Sequence, residues 1–294
     1  MRGNFFASTI TPPRQPMNGL AKKKRPLTLT LPPGISGGRR PDSFHLDHLR
    51  KNIKPFRLHW FPRLRSTNDH AAVLRKRGEL FAPAIILTGC QTAGRGRAAN
   101  SWWSQAGVLT VTFVFPINDQ LAPYQIPLLA GLAVREATAA LLPGAPVKLK
   151  WPNDLLIEGN KLAGLLCERV HKADLIGLGM NVNIRPEDSP PALRDRIASL
   201  SWMAGKPLDM TEVLISIARN LHAMLTHQNE RSFASLLRQY DEHHALIGRR
   251  VSITPGGIDP PVTGKCEGLD SMGRLLLRDG RTLHRIIAGQ VHLV

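Results

Sequence analysis

The segment Lys148-Leu-Lys-Trp-Pro-Asn-Asp154, continued by Leu-Leu-Ile-Glu-Gly-Asn-Lys161-Leu-Ala-Gly164, decides the fold class of this chain. Apolar residues alternate on both sides of Gly159-Asn160, a two-residue turn signal, so the segment predicts a hairpin with strands at 154–158 and 161–169. A further strand at 147–151 precedes the hairpin. Because hairpins and helices mix here without regular strand–helix–strand alternation, we predict an α+β fold with a mixed sheet.

The sequence on both sides of this segment predicts further elements. Periodicity indicates strands at 58–61, 84–88, 108–115 and 175–182, and helices at 66–78, 125–142, 211–227 and 232–242. After Gly248 the chain carries only short strand patterns with turns between them, at 251–254, 262–269, 274–277, 282–286 and 291–294. Five short strands in this short stretch are typical of a small β-barrel. We therefore predict a main domain at 56–246 and a barrel at 247–294.

Residues 1–55 differ in composition from the rest of the chain. They contain eight prolines and five glycines and, outside a short helix expected at 43–51, show no sustained helical period. This composition predicts a disordered tail, so deletion of residues 1–50 is expected to leave function nearly unchanged. The tail holds 11 Lys/Arg against 2 Asp/Glu, more than half of the net charge of +17. The basic run 22–25 is typical of a solvated tail, and a start at Met17 is an alternative.

Composition excludes several classes of protein. With 294 residues, 43% of them hydrophobic, the chain is long enough to form a sizeable core. No apolar run approaches the roughly 18 residues that cross a bilayer, and no secretory signal is recognised, so we expect a cytoplasmic protein without a membrane partner. The three cysteines are odd in number and far apart, which favours neither a disulfide framework nor a zinc site.

Two motifs combine cations with residues that allow close approach of a ligand. In Gln91-Thr-Ala-Gly-Arg-Gly-Arg97, glycines let the backbone approach an anion and two arginines can neutralise carboxylate or phosphate oxygens. Such loops also occur as plain surface connections. In Lys150-Trp-Pro-Asn-Asp154, a strand end presents Asn153 and Asp154, and the hairpin returns Lys161 to the same place. By itself this motif is equally typical of a proline-terminated strand with a turn.

Two further motifs are suited to hydrogen bonding. Gly177-Leu-Gly-Met-Asn181 places glycines inside a strand, which indicates close approach by a ligand or a bulged core strand. Ser66-Thr-Asn68 lies at a helix start, where hydroxyls cap the helix or bind a ligand. Each motif alone is weak support for a binding site.

Together, the order and spacing of these motifs resemble those of the biotin protein ligase family over about residues 56–294. The resemblance implies a class II synthetase-like catalytic domain at 56–246 and an SH3-like β-barrel at 247–294. It also implies a two-step reaction. Biotin and MgATP first form biotinyl-5′-adenylate, and a lysine of the biotin carboxyl carrier protein of acetyl-CoA carboxylase then takes the biotin.

The resemblance implies roles for individual residues. Biotin binding is implied for Ser66, Thr67, Asn68, Gln91, Gly94, Arg95, Arg97, Lys161 and Gly164, and binding of ATP or the adenylate for Arg97, Trp102, Lys150, Asn153, Asp154 and Asn181. Arg97 and Lys161 are the implied catalytic cations, and Arg95 adds charge, because positive groups must offset the repulsion between a carboxylate and the α-phosphate. Asp154 is the implied Mg²⁺ ligand. No nucleophilic Ser or Cys is required, because the activated acyl group is a phosphoanhydride.

One stretch departs from the family's motif, and several alternatives stay open. The family's loop continues Gly-Arg-Gly-Arg-x-Gly-Arg/Lys-x-Trp, whereas here Ala98-Ala-Asn-Ser-Trp102 follows, so weaker retention of the adenylate is expected. Residues 1–55 lack the helices of a DNA-binding module, which predicts a monofunctional ligase with no specific DNA partner. The alternatives are a lipoate or octanoate ligase or transferase and, third, a nucleic-acid-binding regulator. A homodimer is neither required nor excluded.

Overall fold

The computed structural model of the chain describes residues 43–98, 100–226, 232–254 and 260–294. The predictions for residues 1–42 and for Ala99 therefore lie outside the described residues. Within these ranges the chain has the predicted α+β fold with a mixed sheet. None of the helices that the structure describes is both long and apolar enough to cross a membrane.

A seven-stranded sheet forms the centre of the molecule. The strands before residue 182 are β1 (Arg57–Phe61), β2 (Ala84–Thr88), β3 (Gly94–Arg95), β4 (Ser101–Trp102), β5 (Val108–Pro116), β6 (Val147–Lys150), β7 (Asp154–Ile157), β8 (Asn160–Val170) and β9 (Ala173–Asn181). Seven of them pair in the order β1-β2-β5-β9-β8-β7-β6, while β3 and β4 form a separate two-stranded ribbon. β1 and β2 are parallel and the other neighbours antiparallel, so the sheet is mixed.

The helices cover the two faces of this sheet unequally. They are α1 (Leu46–Asn52), α2 (Thr67–Lys76), α3 (Ile126–Leu141), α4 (Leu200–Ala204), α5 (Met210–Thr226) and α6 (Phe233–Glu242), with 3₁₀ turns at Pro186–Asp188 and Pro191–Arg196. On one face, residues such as Ile85, Phe113 and Leu178 join α3 and α5 in a large buried cluster. On the other face, α2 packs over the part near Ala84 and Leu175. The rest of that face is left for a cavity.

The helix α1 belongs to the segment predicted as a disordered tail. The short helix expected at 43–51 is present, and Leu49 and Ile53 are fully buried in the main cluster. The hydroxyl of Thr211 on α5 accepts a hydrogen bond from the backbone N–H of His45 at 3.0 Å. A tail that extends to residue 55 is therefore too long, because two apolar residues one helical turn apart suffice to dock this segment on the core.

The turn of the β7–β8 hairpin lies one residue earlier than predicted. Ile157 pairs with Asn160, so Glu158 and Gly159 occupy the turn, with φ of 50° and 87°. Two positive φ values are typical of the type I′ turn, whose twist matches that of a hairpin. The sequence pattern instead favours Gly159-Asn160 as the turn, because a non-glycine residue such as Glu158 seldom adopts a positive φ.

The C-terminal strands form a five-stranded antiparallel sheet. They are β10 (Arg250–Thr254), β11 (Val262–Leu269), β12 (Leu275–Asp279), β13 (Thr282–Ile286) and β14 (Gln290–Leu293), in the order β13-β12-β11-β10-β14. Among the described residues no pairing of β13 with β14 closes this sheet, so the strands are confirmed but a closed barrel is not. Val251, Cys266 and Leu277 on its apolar side belong to the same buried cluster as the central sheet. The two sheets therefore share one core.

Candidate functional site

A cavity of about 700 Å³ lies on the sheet face that α2 leaves open. Its floor consists of residues from β5, β9 and β8, among them Thr110, Gly179 and Gly164. The walls come from the start of α2, the β3–β4 ribbon, the β7–β8 hairpin and β14. Every residue predicted to bind biotin or ATP lines this cavity except Gly94, which lies in β3 of the ribbon with the Gln91 side chain against it.

One end of the cavity is a network of neutral polar groups at the start of α2. Ser66 is the N-cap residue of this helix. Gln91 Oε1 accepts hydrogen bonds from the backbone N–H of Thr67 at 2.7 Å and from its hydroxyl at 3.0 Å. Thr112 Oγ1 on β5 lies 2.8 Å from Thr67 Oγ1 and 2.6 Å from Asn68 Oδ1. These contacts fix uncharged donors and acceptors in an arrangement suited to a neutral polar ring.

The guanidinium of Arg95 is held by two carboxylates. It donates to Asp69 Oδ1 at 2.6 and 2.9 Å and to the Glu168 carboxylate at 3.1 and 3.3 Å. The hydrogen bond to Asp69, assisted by that to Glu168, raises the pKa of Arg95 above its ordinary value. In this arrangement two carboxylates compensate the charge of Arg95, and the expectation that it supplies charge to a substrate anion stays a prediction. Arg95 ties the ribbon to α2 and β8.

Arg97 reaches further into the cavity and bridges two parts of the fold. Its Nη1 donates to Asn153 Oδ1 at 3.2 Å and to the backbone carbonyl of Gly289 at 3.4 Å. Burial lowers the pKa of Arg97, and the nearby carboxylate of Asp154 opposes this effect. A guanidinium stays cationic in proteins all the same. Because neither of these partners is charged, the positive charge of Arg97 can act on an anionic ligand.

Lys161 and Asp154 meet across the β7–β8 hairpin, as the sequence predicts. Lys161 Nζ lies 2.7 Å from Asp154 Oδ1 and 5.8 Å from the centre of the Trp102 ring. A Cβ at Gly164 would lie 3.0 Å from Lys161 Nζ, so the glycine leaves room for the ammonium group. Lys150, paired with Asp154 in the β6–β7 register, adds a second lysine at this end. This end of the cavity is therefore cationic.

The residues that line the cavity do not fit a Mg²⁺ ion held by the protein alone. Asp154 supplies the one carboxylate among the described lining residues, and Lys161 already holds its Oδ1. In the described part of the chain no three His, Cys, Asp or Glu side chains converge as metal ligands would. Since Mg²⁺ usually binds through one or two carboxylates together with waters and substrate phosphates, Asp154 could hold the ion only in company with ATP, and its metal role stays a prediction.

Asn153 and Asn181 hold the backbone at the cationic end. Asn153 Nδ2 donates to the carbonyl of Leu165 at 2.7 Å, and Asn181 Nδ2 donates to the carbonyl of Lys161 at 3.1 Å. The sequence assigns both amides to the nucleotide side. In the structure their amide nitrogens bind backbone carbonyls of β8 and thereby hold in place the strand that carries Lys161.

The two glycines of β9 make room for protein side chains. A Cβ at Gly177 would overlap the carboxamide of Asn68, and a Cβ at Gly179 would overlap the indole of Trp102. These side chains explain both glycines without close approach by a ligand. A bulge is not present either, since β9 pairs in regular register with β5 and β8. Along β9 the Trp102 indole thus lies two residues from the Asn68 carboxamide, beside the ammonium group of Lys161.

Two parts of the cavity wall are not indicated by any sequence motif. Thr254, Ala288 to His292, Leu193, Arg196 and Ile197 line the cavity from the C-terminal sheet and from the 3₁₀ segment. The contact between Arg97 and Gly289 joins positions 192 residues apart, a separation over which local patterns carry no information. The one local signal is Gly289 itself, because a glycine beside a strand often marks close backbone approach.

Comparison with known proteins agrees with this geometry. A sequence profile of the Biotin/lipoate A/B protein ligase family matches residues 60–184. A biotin–[acetyl-CoA-carboxylase] ligase of Mycobacterium tuberculosis is 33% identical over 77% of this chain and 85% of its own length. The chain belongs to the biotin protein ligase family.

Other members extend the comparison to a solved structure. The bifunctional ligase/repressor BirA of Bacillus subtilis is 31% identical over 71% of this chain and 66% of its own length. The biotin protein ligase from Aquifex aeolicus in complex with biotin and ATP is 29% identical, with a TM-score of 0.71 over 81% of this chain and 98% of that one. The resemblance drawn from the motifs and the α+β fold that it implies are thereby confirmed.

Proposed function

We propose that this member of the biotin protein ligase family activates biotin with MgATP and transfers biotin to a lysine of the biotin carboxyl carrier protein of acetyl-CoA carboxylase. One observation carries the proposal: a single cavity has a neutral hydrogen-bonding end, with Thr67 and Gln91, and a cationic end, with Lys161 and Arg97. Asn68 overlies Gly177, whereas Lys161 Nζ lies against Gly164, the register partner of Gly179 on the neighbouring strand. The two ends are therefore two residues and one strand apart on the sheet, roughly 8 Å. A ligand with a neutral ring and a carboxylate tail suits this spacing.

The relatives support the same substrates. The Aquifex aeolicus enzyme is seen with biotin and ATP. A relative from Paracoccus denitrificans, 29% identical over 92% of its own length, is also named a biotin–[acetyl-CoA-carboxylase] ligase. The proposed activity belongs in the cytoplasm, where ATP is supplied and where three free thiols stay reduced.

The first step joins two anions. A carboxylate oxygen of biotin attacks the α-phosphorus of ATP, a P–O bond forms, and the bond to pyrophosphate breaks. Lys161 and Arg97 offset the repulsion between the anions and stabilise the charge that develops in the transition state. Mg²⁺ enters with ATP as part of the substrate and neutralises the leaving pyrophosphate. Asp154 acts on this step through Lys161, whose ammonium it holds at 2.7 Å.

The second step uses a nucleophile from the partner. The deprotonated amine of the carrier lysine attacks the acyl carbon of the adenylate, an amide C–N bond forms, and the C–O bond to AMP breaks. AMP leaves with the electron pair, and the proton lost by nitrogen passes to solvent. Burial raises the pKa of the Cys167 thiol, which packs against the main buried cluster and does not line the cavity, so this residue stays protonated and is unsuited to an acyl-enzyme route.

Incubation of the full chain with biotin and MgATP tests the proposal. The expected products are pyrophosphate and biotinyl-adenylate, followed by AMP and amide-linked biotin once the acceptor domain of the carrier is added. Omission of ATP, and an acceptor domain with arginine at the target lysine, serve as controls. Activation of lipoate or octanoate but not of biotin would overturn the proposal in favour of the alternative acyl substrate.

A further inference from the structure

The outer face of the C-terminal sheet carries a row of cations. The strand register places Lys265 on β11 directly opposite Arg250 on β10 and directly opposite Arg278 on β12. Arg285 on β13 lies on the same face, two residues from Leu283, the partner of Arg278. At about 4.8 Å between strands, the distance from Arg250 to Arg278 is roughly 10 Å. We call Arg250, Lys265, Arg278 and Arg285 the cation row.

The charges of the cation row are only partly compensated within the fold. Arg278 is paired with Glu267 at 3.1 Å, and Arg250 lies 3.8 Å from Asp279. Lys265 and Arg285 are exposed and form no ion pair with another described residue. Like charges directly opposite each other on a sheet are destabilising. Lys265, opposite two arginines, therefore lies where this repulsion is greatest.

The face that carries the row continues to the mouth of the cavity. On β10, Arg250 and Thr254 point to the same side because they are an even number of residues apart, and Thr254 pairs with Gln290. Thr254, Gln290 and His292 all line the cavity. Along β10 the cavity mouth is thus roughly 13 Å from the row. A partner of domain size that rests on the row can reach the cavity at the same time.

We propose that the acceptor domain of the carrier docks on the cation row through carboxylates near its target lysine, so that the lysine enters the cavity past Gln290 and His292. The inference rests on the proposed function, because it names how the second substrate of that reaction is recruited. Electrostatic complementarity of this kind acts on association rate and on partner choice.

A protein partner fits the row better than a nucleic acid does. Glu267 and Asp279 lie among the cations and would repel an evenly charged phosphate backbone. A folded domain can instead place its carboxylates opposite Lys265 and Arg285 and leave the ion pairs of Glu267 and Asp279 in place. The short length of the row also matches a local patch on one small domain.

The double variant Lys265→Glu/Arg285→Glu tests the docking surface, because it changes only cations without an ion pair to described residues. With the isolated acceptor domain as substrate, KM should rise at least about fivefold at low ionic strength, while kcat and pyrophosphate release stay unchanged. The difference should shrink as salt screens the charges. The control Lys54→Glu/Lys76→Glu makes the same change in net charge at exposed residues that do not line the cavity, and its KM should stay near that of the wild type.

A small nucleophile separates docking from chemistry. Hydroxylamine should release biotinyl hydroxamate equally from the wild type and from both double variants, since it needs no docking surface. An acceptor domain whose carboxylates near the target lysine are changed to lysine should restore a low KM for Lys265→Glu/Arg285→Glu. Absence of adenylate in the wild type would contradict the proposed function. If the adenylate forms but the two double variants have equal KM values, the docking site alone is overturned. The docking site is also overturned if Lys265→Glu/Arg285→Glu loses binding to duplex DNA without a change in KM.

Discussion

Lys161 and Arg97 lie at the same end of the cavity but in different kinds of structure. Lys161 lies on β8, which is paired on both sides, and its ammonium is fixed by Asp154. We expect Lys161→Ala to slow adenylate formation by about 30- to 1,000-fold, the usual effect of removing a preorganised charge of about 2–4 kcal/mol. Pyrophosphate release in a single turnover measures this step. Lys148→Ala, an exposed lysine that does not line the cavity, is the matched control and should keep the wild-type rate.

Arg97 lies in the connection between β3 and β4, beside Ala98, which adopts a φ of 53°. Because Arg97 links this connection to Asn153 and Gly289 while Lys161 stays in place, Arg97→Gly should still allow some adenylate synthesis but release the adenylate faster. Dissociation of the intermediate and labelling of bystander lysines measure the effect. Equal losses of synthesis in Arg97→Gly and Lys161→Ala, with unchanged release, would mean that both cations serve one step.

The cysteines give a test of burial that does not depend on catalysis. Cys266 is 1% exposed, and burial raises the pKa of its thiol to about 11, while burial also raises the pKa of Cys167. Since the thiolate is the reactive form, iodoacetamide at pH 8 should label Cys90 well before the other two in the native chain. Peptide mass spectrometry measures the rates, and in urea all three should react. Because folding favours the protonated thiols, their contribution to stability should decline as the pH rises above about 8.5.

Short motifs let the sequence predict which residues line the cavity better than which contacts each of them makes there. Ser66, Lys161 and Asn181 are found because hydroxyls at a helix start and polar groups at strand ends form recognisable local patterns. The two carboxylates that hold Arg95 come from α2 and β8, and no pattern within the Gly-Arg loop indicates them. Charge compensation across the fold is therefore what the motif could not predict.

Among the elements, the predictable ones are those with a sustained period. The strands β2 and β5 and the helices α3 and α5 agree with expectation to within two residues, because a short apolar run marks each strand and a 3.6-residue period marks each helix. The ribbon β3–β4 has two-residue strands, which are too short to show any period. The 3₁₀ segment Pro191–Arg196 carries no apolar stripe either, so its position beside Lys161 is a product of tertiary packing.

The helix α1 changes the expected effect of truncation. Leu49 is fully buried against the central core, so Leu49→Ala should lower the free energy of unfolding by about 2–4 kcal/mol. Deletion of residues 1–50 removes most of α1 and should destabilise the chain at least as much, contrary to the expectation drawn from composition. Deletion of residues 1–42 leaves α1 in place and should keep the thermal midpoint. Denaturant unfolding distinguishes the two, and equal stability of both truncated chains would contradict a structural role for α1.

The two sheets together build one site, although each pairs its strands separately. Their apolar residues form a single cluster, and Asp241 Oδ2 on α6 accepts a hydrogen bond from the backbone N–H of Leu269 on β11 at 3.1 Å. Gln125 Nε2 donates to the carbonyl of Met272 at 3.0 Å from the other side. The C-terminal sheet is thus held at a fixed position, and from there it closes the cavity opposite the β7–β8 hairpin.

Gly289 tests whether this closure contributes to retention of the adenylate. A Cβ at position 289 would overlap Ile253 Cγ2 and lie 3.0 Å from the carbonyl of Thr254, so Gly289→Ala must shift the connection before β14. That shift moves the carbonyl that accepts from Arg97, and Arg97 then loses its link to the C-terminal sheet. We expect the adenylate to dissociate several-fold faster while its synthesis changes little. Gly131→Ala is the matched control, because a Cβ there meets only ordinary contacts of 3.5 Å or more inside α3. A stopped chase of labelled adenylate with unlabelled biotin and ATP measures dissociation. Unchanged release from a folded Gly289→Ala chain would show that the C-terminal sheet bounds the cavity without holding the intermediate.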